Sequence, residues 1–217
     1  MTTGSIVLLV LFVLCSAADL FAVAKKSVRA ERIAKPLLMP LLLAFYLLSA
    51  KQPDLFLVLA LVFGFLGDTF LLGSGAFFAC GLLAFLLGHA CYITAFLRPL
   101  DFSALSPIVW VPAVLAYVLY IIPVGRRIFP SVEPKLRPAV TLYAVCLLGM
   151  SCSSLLRYPY AAGLEFWLPF VGSLLFVSSD TMLAFRVFRK KSCGNSSIAV
   201  MVTYLLAQLM IVLGFLA

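Results

Sequence analysis

Apolar residues follow one another in runs of about 17 to 25 along this chain, and polar residues collect in the short gaps between them. Each run is long enough to cross about 30 Å of hydrocarbon at about 1.5 Å of helical rise per residue. The pattern predicts eight spans, at 4–24, 36–50, 55–72, 76–97, 107–124, 138–156, 164–185 and 196–216. Lys35-Pro36 and Arg137-Pro138 open the second and sixth, because a proline in the first helical turn lacks only an N–H that has no partner there anyway. Pro112 lies inside the fifth and is expected to kink it. The apolar residues are consecutive rather than alternating, which excludes an outer-membrane barrel and leaves helices as the spanning structure. The expected fold is all-α and polytopic, with residues 1–217 forming a single eight-helix transmembrane domain.

Composition supports that pattern, since a chain 65% hydrophobic and 11% charged has too little polar surface to cover a soluble globule. A net charge of +8 would suggest nucleic acid in a soluble protein, but here the bases sit between spans and set topology instead. Lys25, Lys26, Arg29, Arg32, Lys35, Arg126, Arg127, Lys135, Arg137, Arg186, Arg189, Lys190 and Lys191 fall in the gaps after spans one, five and seven; only Lys51, Arg98 and Arg157 fall on the other side. Both termini are therefore expected on the non-cytoplasmic face. The first span lacks a basic segment before it, so it reads as a retained helix rather than a signal peptide, and the compact chain suggests a bacterial inner membrane. The six cysteines lie mostly in apolar segments without a C-x-x-C, and His89 is the only histidine, so no metal or other cofactor is expected. No feature specifies an oligomeric state.

Two acids break the apolar pattern where it matters most. Asp68 lies in Phe63-Gly64-Phe65-Leu66-Gly67-Asp68-Thr69-Phe70-Leu71, and Asp180 in Phe176-Val177-Ser178-Ser179-Asp180-Thr181-Met182-Leu183, sharing Asp-Thr-x-Leu. An ionisable group at membrane depth is costly unless paired or facing a polar cavity, which makes both candidates for function. Tyr92 and Tyr204 each follow their acid by 24 residues, and the two Lys/Arg-Pro openings match, so the chain reads as a 4+4 parallel repeat. Such symmetry would set Asp68 and Asp180 on equivalent helices at equal depth, facing across a cleft. Each acid has plainer readings: a helix cap, an interfacial ion pair, or a step in a proton or ion pathway. Asp19, near the end of the first span, reads as an interfacial acid paired with the bases that follow it. Tyr92, Tyr143, Tyr204 and Gln208 are polar on apolar helices and either line the cleft or bridge helices. His89 sits near the middle of its span and either bonds a substrate, or an Asp through a water, or is satisfied by a neighbouring carbonyl.

Taken in order, Lys35-Pro36, Gly67-Asp68-x-x-Leu71, Gly88-His89-x-x-Tyr92, Tyr143 with Met150, Ser179-Asp180-x-x-Leu183 and Tyr204-x-x-x-Gln208 resemble the YhhN family, the lysoplasmalogenases. The resemblance spans nearly the whole chain. It implies an integral-membrane hydrolase that cleaves the vinyl ether of lysoplasmalogen to a fatty aldehyde and glycerophosphoethanolamine or glycerophosphocholine, with no metal requirement. The partners it implies are a lysophospholipid substrate and the surrounding membrane lipid.

Two carboxyl groups suit that reaction, one protonated as general acid and the other ionised to stabilise the cation and activate water. The more polar Ser178-Ser179 setting favours Asp180 as the ionised member. Lys35 and Arg137 are candidates for the substrate phosphate, with anchoring to anionic lipid as the plainer role. The rival reading is a small proton-coupled transporter or channel using the same acids. Broken helices near the midplane would favour it, and Pro112, read as the only interior proline, is far in sequence from both acids.

Overall fold

Local hydrogen-bonding residues set most of the helix ends. The computed structural model describes residues 2–73, 75–100, 107–158, 160–161, 163–189 and 196–217. Its helices are α1 (Thr3–Ala24), α2 (Val28–Ser49), α3 (Leu55–Phe70), α4 (Ala76–Leu97), α5 (Pro107–Ile128), α6 (Arg137–Leu156), α7 (Leu164–Arg189) and α8 (Ser196–Leu216), with two short 3₁₀ turns between α5 and α6. Among the described residues seven helices are long and apolar enough to cross a membrane, and α3 is a shorter apolar helix. The protein is an all-α, multi-pass integral membrane protein. Val7, Val10, Leu11 and Leu14 of α1 and Val111, Leu115, Val118 and Leu119 of α5 are exposed, the pattern of side chains that face lipid.

The chain divides into two compact units, one comprising Met1–Ala95 with Phe215–Ala217 and the other Phe96–Gly214. In the first unit, Ser5, Phe12, Asp19 and Ala22 form the buried stripe of α1, with Phe12 and Asp19 each seven residues on. α2 buries Leu38, Met39, Leu42, Phe45 and Tyr46. The two helices are joined by a Schellman turn: Ser27 N–H donates to the Ala22 carbonyl at 2.9 Å and Lys26 N–H to Val23 at 3.1 Å. Lys26 occupies the left-handed position with φ 54°, where a side chain is disfavoured. Lys26→Gly is therefore expected to raise stability by about 1 kcal/mol, read as a higher thermal midpoint in detergent. The next turn is held by Asp54, whose carboxylate accepts from Phe56 N–H at 2.8 Å and Leu57 N–H at 3.0 Å while its own N–H donates to the Tyr46 hydroxyl at 2.8 Å.

Helix α2 corrects one sequence expectation. It begins at Val28, so Pro36 is not in its first turn but inside it, as is Pro40. Ala30, Glu31, Arg32 and Ala34 favour helix, and Glu31 sits in the first turn where the dipole welcomes an acid. Pro112 is likewise not the only interior proline, because Pro123 and Pro169 also lie within helices. Apolar surroundings offer the backbone no water to turn to, which is why helices in a membrane tolerate interior prolines better than helices in water do. Pro169 in α7 packs on Gly214 of α8, where an added Cβ would come within 2.2 Å of the proline ring. α3 ends at Phe70 rather than 72, and α7 runs on to Arg189. Asp68 thus lies in the last turn of its helix, whereas Asp180 has nine residues of helix after it.

Candidate active-site residues

In the first unit α3 and α4 approach closely through glycine. A Cβ on Gly67 would meet the Phe85 ring at 2.6 Å, and one on Gly88 would meet the Ala60 carbonyl and Phe63 Cβ at 3.5 Å. Gly67 therefore serves helix packing beside the acid. This register sets Asp68 level with the Phe85 turn of α4 and His89 level with Ala60–Gly64, about 7–8 Å further along the pair at 1.5 Å per residue. Asp68, His89 and Tyr92 are all buried, at 2%, 1% and 1% exposure, so no one of them is a lipid-facing residue. Tyr92 follows His89 by three residues and shares its helix face. Lys35 is half-buried on α2, with its Nζ 3.7 Å from Glu31 Oε1 one turn earlier.

In the second unit three consecutive residues of α7 engage three different helices. Ser179 donates to the Val200 carbonyl of α8 at 2.9 Å, and the Thr181 hydroxyl bonds Tyr120 of α5 at 2.8 Å. Between them, Asp180 accepts through Oδ2 from the Tyr143 hydroxyl of α6. Successive helical side chains point about 100° apart, so this triplet clamps α7 from three directions and fixes the rotation of the Asp180 side chain. Ser178, by contrast, turns back to the Leu174 carbonyl at 2.9 Å.

Tyr204 stacks edge-on against Phe176 at 5.4 Å, and its hydroxyl receives a long hydrogen bond of 3.5 Å from Gln208 Nε2, which is fully buried. Arg137 is directed to its own loop, donating through Nε to the Val132 carbonyl at 3.3 Å and lying over the Phe129 ring. Of the residues singled out by sequence, direct hydrogen bonds thus join Tyr143 to Asp180 and Gln208 to Tyr204, and Lys35 and Arg137 each meet a local partner.

Sequence reasoning gave no role to Tyr120, to Thr181 of the shared Asp-Thr-x-Leu, or to a hydroxyl cluster in the same unit. Tyr117 Oη and Ser151 Oγ lie 2.7 Å apart, Ser151 and Ser173 2.9 Å, and Ser154 and Ser173 2.8 Å. The run Ser151-Cys152-Ser153-Ser154 inside an apolar segment was the available signal, because serine in a membrane helix commonly marks a helix contact. Asp19 also departs from its expected role. It is fully buried, neither carboxylate oxygen has a hydrogen-bond partner among the described residues, and Lys35, which acts on it electrostatically, pairs with Glu31.

The YhhN family model matches residues 30–215. The human lysoplasmalogenase TMEM86B is 31% identical over 155 residues, covering 71% of this chain and 61% of the human protein. A lysoplasmalogenase of Mycobacterium bovis is 34% identical over 142 residues, covering 64% of this chain and 51% of its own, and one from Mycobacterium tuberculosis gives the same values. The chain therefore matches 51–61% of the length of these curated relatives. No solved structure matches it.

Proposed function

The chain belongs to the YhhN family, and from that premise we propose that it is a membrane hydrolase of lysoplasmalogen, releasing a fatty aldehyde and glycerophosphoethanolamine or glycerophosphocholine. The observation that carries the reading is the Tyr143 hydroxyl on Asp180, within a triplet that immobilises this acid. An acceptor already oriented by a donor suits the group that must act as base and charge stabiliser. Asp68 takes the role of acid. It lies in the last turn of α3 and is buried, at 2% exposure.

The reaction needs no covalent nucleophile. Asp68 gives its proton to the alkene carbon remote from the ether oxygen, and the double-bond electrons form that C–H bond. The positive charge moves to an oxocarbenium ion, which carboxylate Asp180 stabilises. Water adds at the carbon bearing oxygen while Asp180 takes its proton, leaving a hemiacetal. Collapse returns the hydroxyl proton to Asp68 and delivers one from Asp180 to the departing glycerol oxygen, so both groups recover their starting states. Lys35 and Arg137 neutralise the phosphate; His89, Tyr92, Tyr204 and Gln208 supply polar contacts around the glycerol.

Protein purified in detergent is expected to release aldehyde from lysoplasmenylethanolamine but not from the saturated alkyl ether, which cannot be protonated at carbon. No aldehyde from the vinyl ether would remove the assignment. Turnover is also expected to survive EDTA and a stronger zinc chelator unchanged, since the scheme routes every proton through side chains. Reversible loss of activity on chelation would reject it.

A further inference from the structure

The seam between α1 and α2 holds a group the proposed reaction does not use. Asp19 is 0% exposed, and both of its carboxylate oxygens are buried without a hydrogen-bond partner among the described residues. Buried polar atoms left unmet are costly, and in native proteins they commonly mark a position filled by water, an ion or a ligand. Two charged side chains of α2 act on Asp19 electrostatically, Lys35 and Glu31, and these two pair with each other at 3.7 Å. Cys15, one turn before Asp19, donates its thiol to the Ala34 carbonyl at 3.4 Å, which fixes this face of α1 against the same turn of α2. The cluster therefore contains two carboxylates and one ammonium, with an excess of one acid at the deepest point. Glu31 and Lys35 retain side-chain exposures of 31% and 12%, so the cluster opens outward through them.

A divalent metal is a poor match, since calcium takes six to eight oxygens and Lys35 would repel it. A group that is cationic at one end and anionic at the other fits better: its ammonium meets Asp19 and Glu31, and its phosphate meets Lys35. The depth agrees with a lipid headgroup. Asp19 lies five residues from the end of α1 and Lys35 seven from the start of α2, about 8 and 11 Å inside the basic turn that joins them.

We propose that Asp19, with Glu31, forms the receptor for the ammonium of the lysophospholipid headgroup, next to a phosphate held by Lys35. This rests on the substrate reading above for the identity of the lipid, and it assigns to Asp19 a choice between headgroups that the two proposed catalytic acids do not make.

The test compares two lipids that are not hydrolysed, a saturated alkyl glycerophosphoethanolamine and the matching alkyl glycerophosphate without the amine, each binding to the full-length protein in detergent. Asp19→Asn is expected to weaken the ethanolamine lipid by at least about tenfold and to leave the phosphate lipid within about twofold. Lys35→Gln is expected to weaken both. An affinity ratio unchanged by Asp19→Asn would overturn the proposal. If that variant fails to fold, Glu31→Gln must shift the ratio in the same direction, and an unchanged ratio there is equally fatal. Equal competition by diacyl phosphatidylethanolamine would assign the seam to bilayer lipid and overturn the substrate role. Vinyl ether turnover measured in parallel separates the two proposals. Hydrolysis with an Asp19-independent ratio rejects the headgroup site alone, and an Asp19-dependent ratio without hydrolysis rejects the reaction alone.

Discussion

Asp68→Asn is expected to lower kcat by about 10²- to 10⁴-fold with KM little changed, the usual contribution of a positioned general acid. The amide has nearly the shape of the carboxylic acid but no proton to give to carbon, and it fits the same buried position between Gly67 and Thr69. Asp180→Asn is expected to fall as far for a different reason. Its amide oxygen still accepts the Tyr143 hydroxyl, so the clamp on α7 persists, but the negative charge that stabilises the oxocarbenium ion and takes a proton from water is gone. Both variants should keep the thermal midpoint of the parent within a few degrees, which separates lost chemistry from lost fold. Aldehyde release under single-turnover conditions measures the effect; full activity in both Asn variants would remove the two carboxyl groups from the mechanism.

Tyr143→Phe is expected to have the next largest effect, a loss of about 10- to 100-fold in kcat. A hydrogen bond to a charged group contributes about 1.5–3 kcal/mol, and each 1.4 kcal/mol is about tenfold. Tyr143 acts through Asp180 rather than on the substrate, so the loss should appear in kcat while KM holds. A merely structural role would lower the amount of active protein and leave the kcat of the folded fraction unchanged. Tyr120→Phe provides the contrast, because its bond to Thr181 joins two neutral hydroxyls and costs about 0.5–1.5 kcal/mol. If Tyr120→Phe reduced kcat as much as Tyr143→Phe, the clamp as a whole rather than the hydrogen bond to Asp180 would be the feature that matters.

The sequence by itself determined the membrane class and most of the helix order. Consecutive apolar runs admit only helices in lipid, and basic or glycine-rich gaps punctuate them, so the bounds of α4 and α8 and the Arg137 start of α6 are legible in the residues alone. It also exposed Asp68 and Asp180, because a charge inside an apolar run stands out whatever surrounds it. The start of α2 was not legible: proline rules made for helices in water stopped it at Pro36, whereas the favourable Val28–Lys35 segment continues the helix through two prolines. What only the tertiary structure decided is direction around each helix axis. A span apolar on all sides carries no amphipathic stripe to say which residue meets which neighbour. Nothing in the spacing therefore revealed that Ser179, Asp180 and Thr181 reach α8, α6 and α5, or that the buried carboxylate of Asp19 is unmet among the described residues; the four-residue spacing of Glu31 and Lys35 reads as a pair only once the helix is known to begin at Val28.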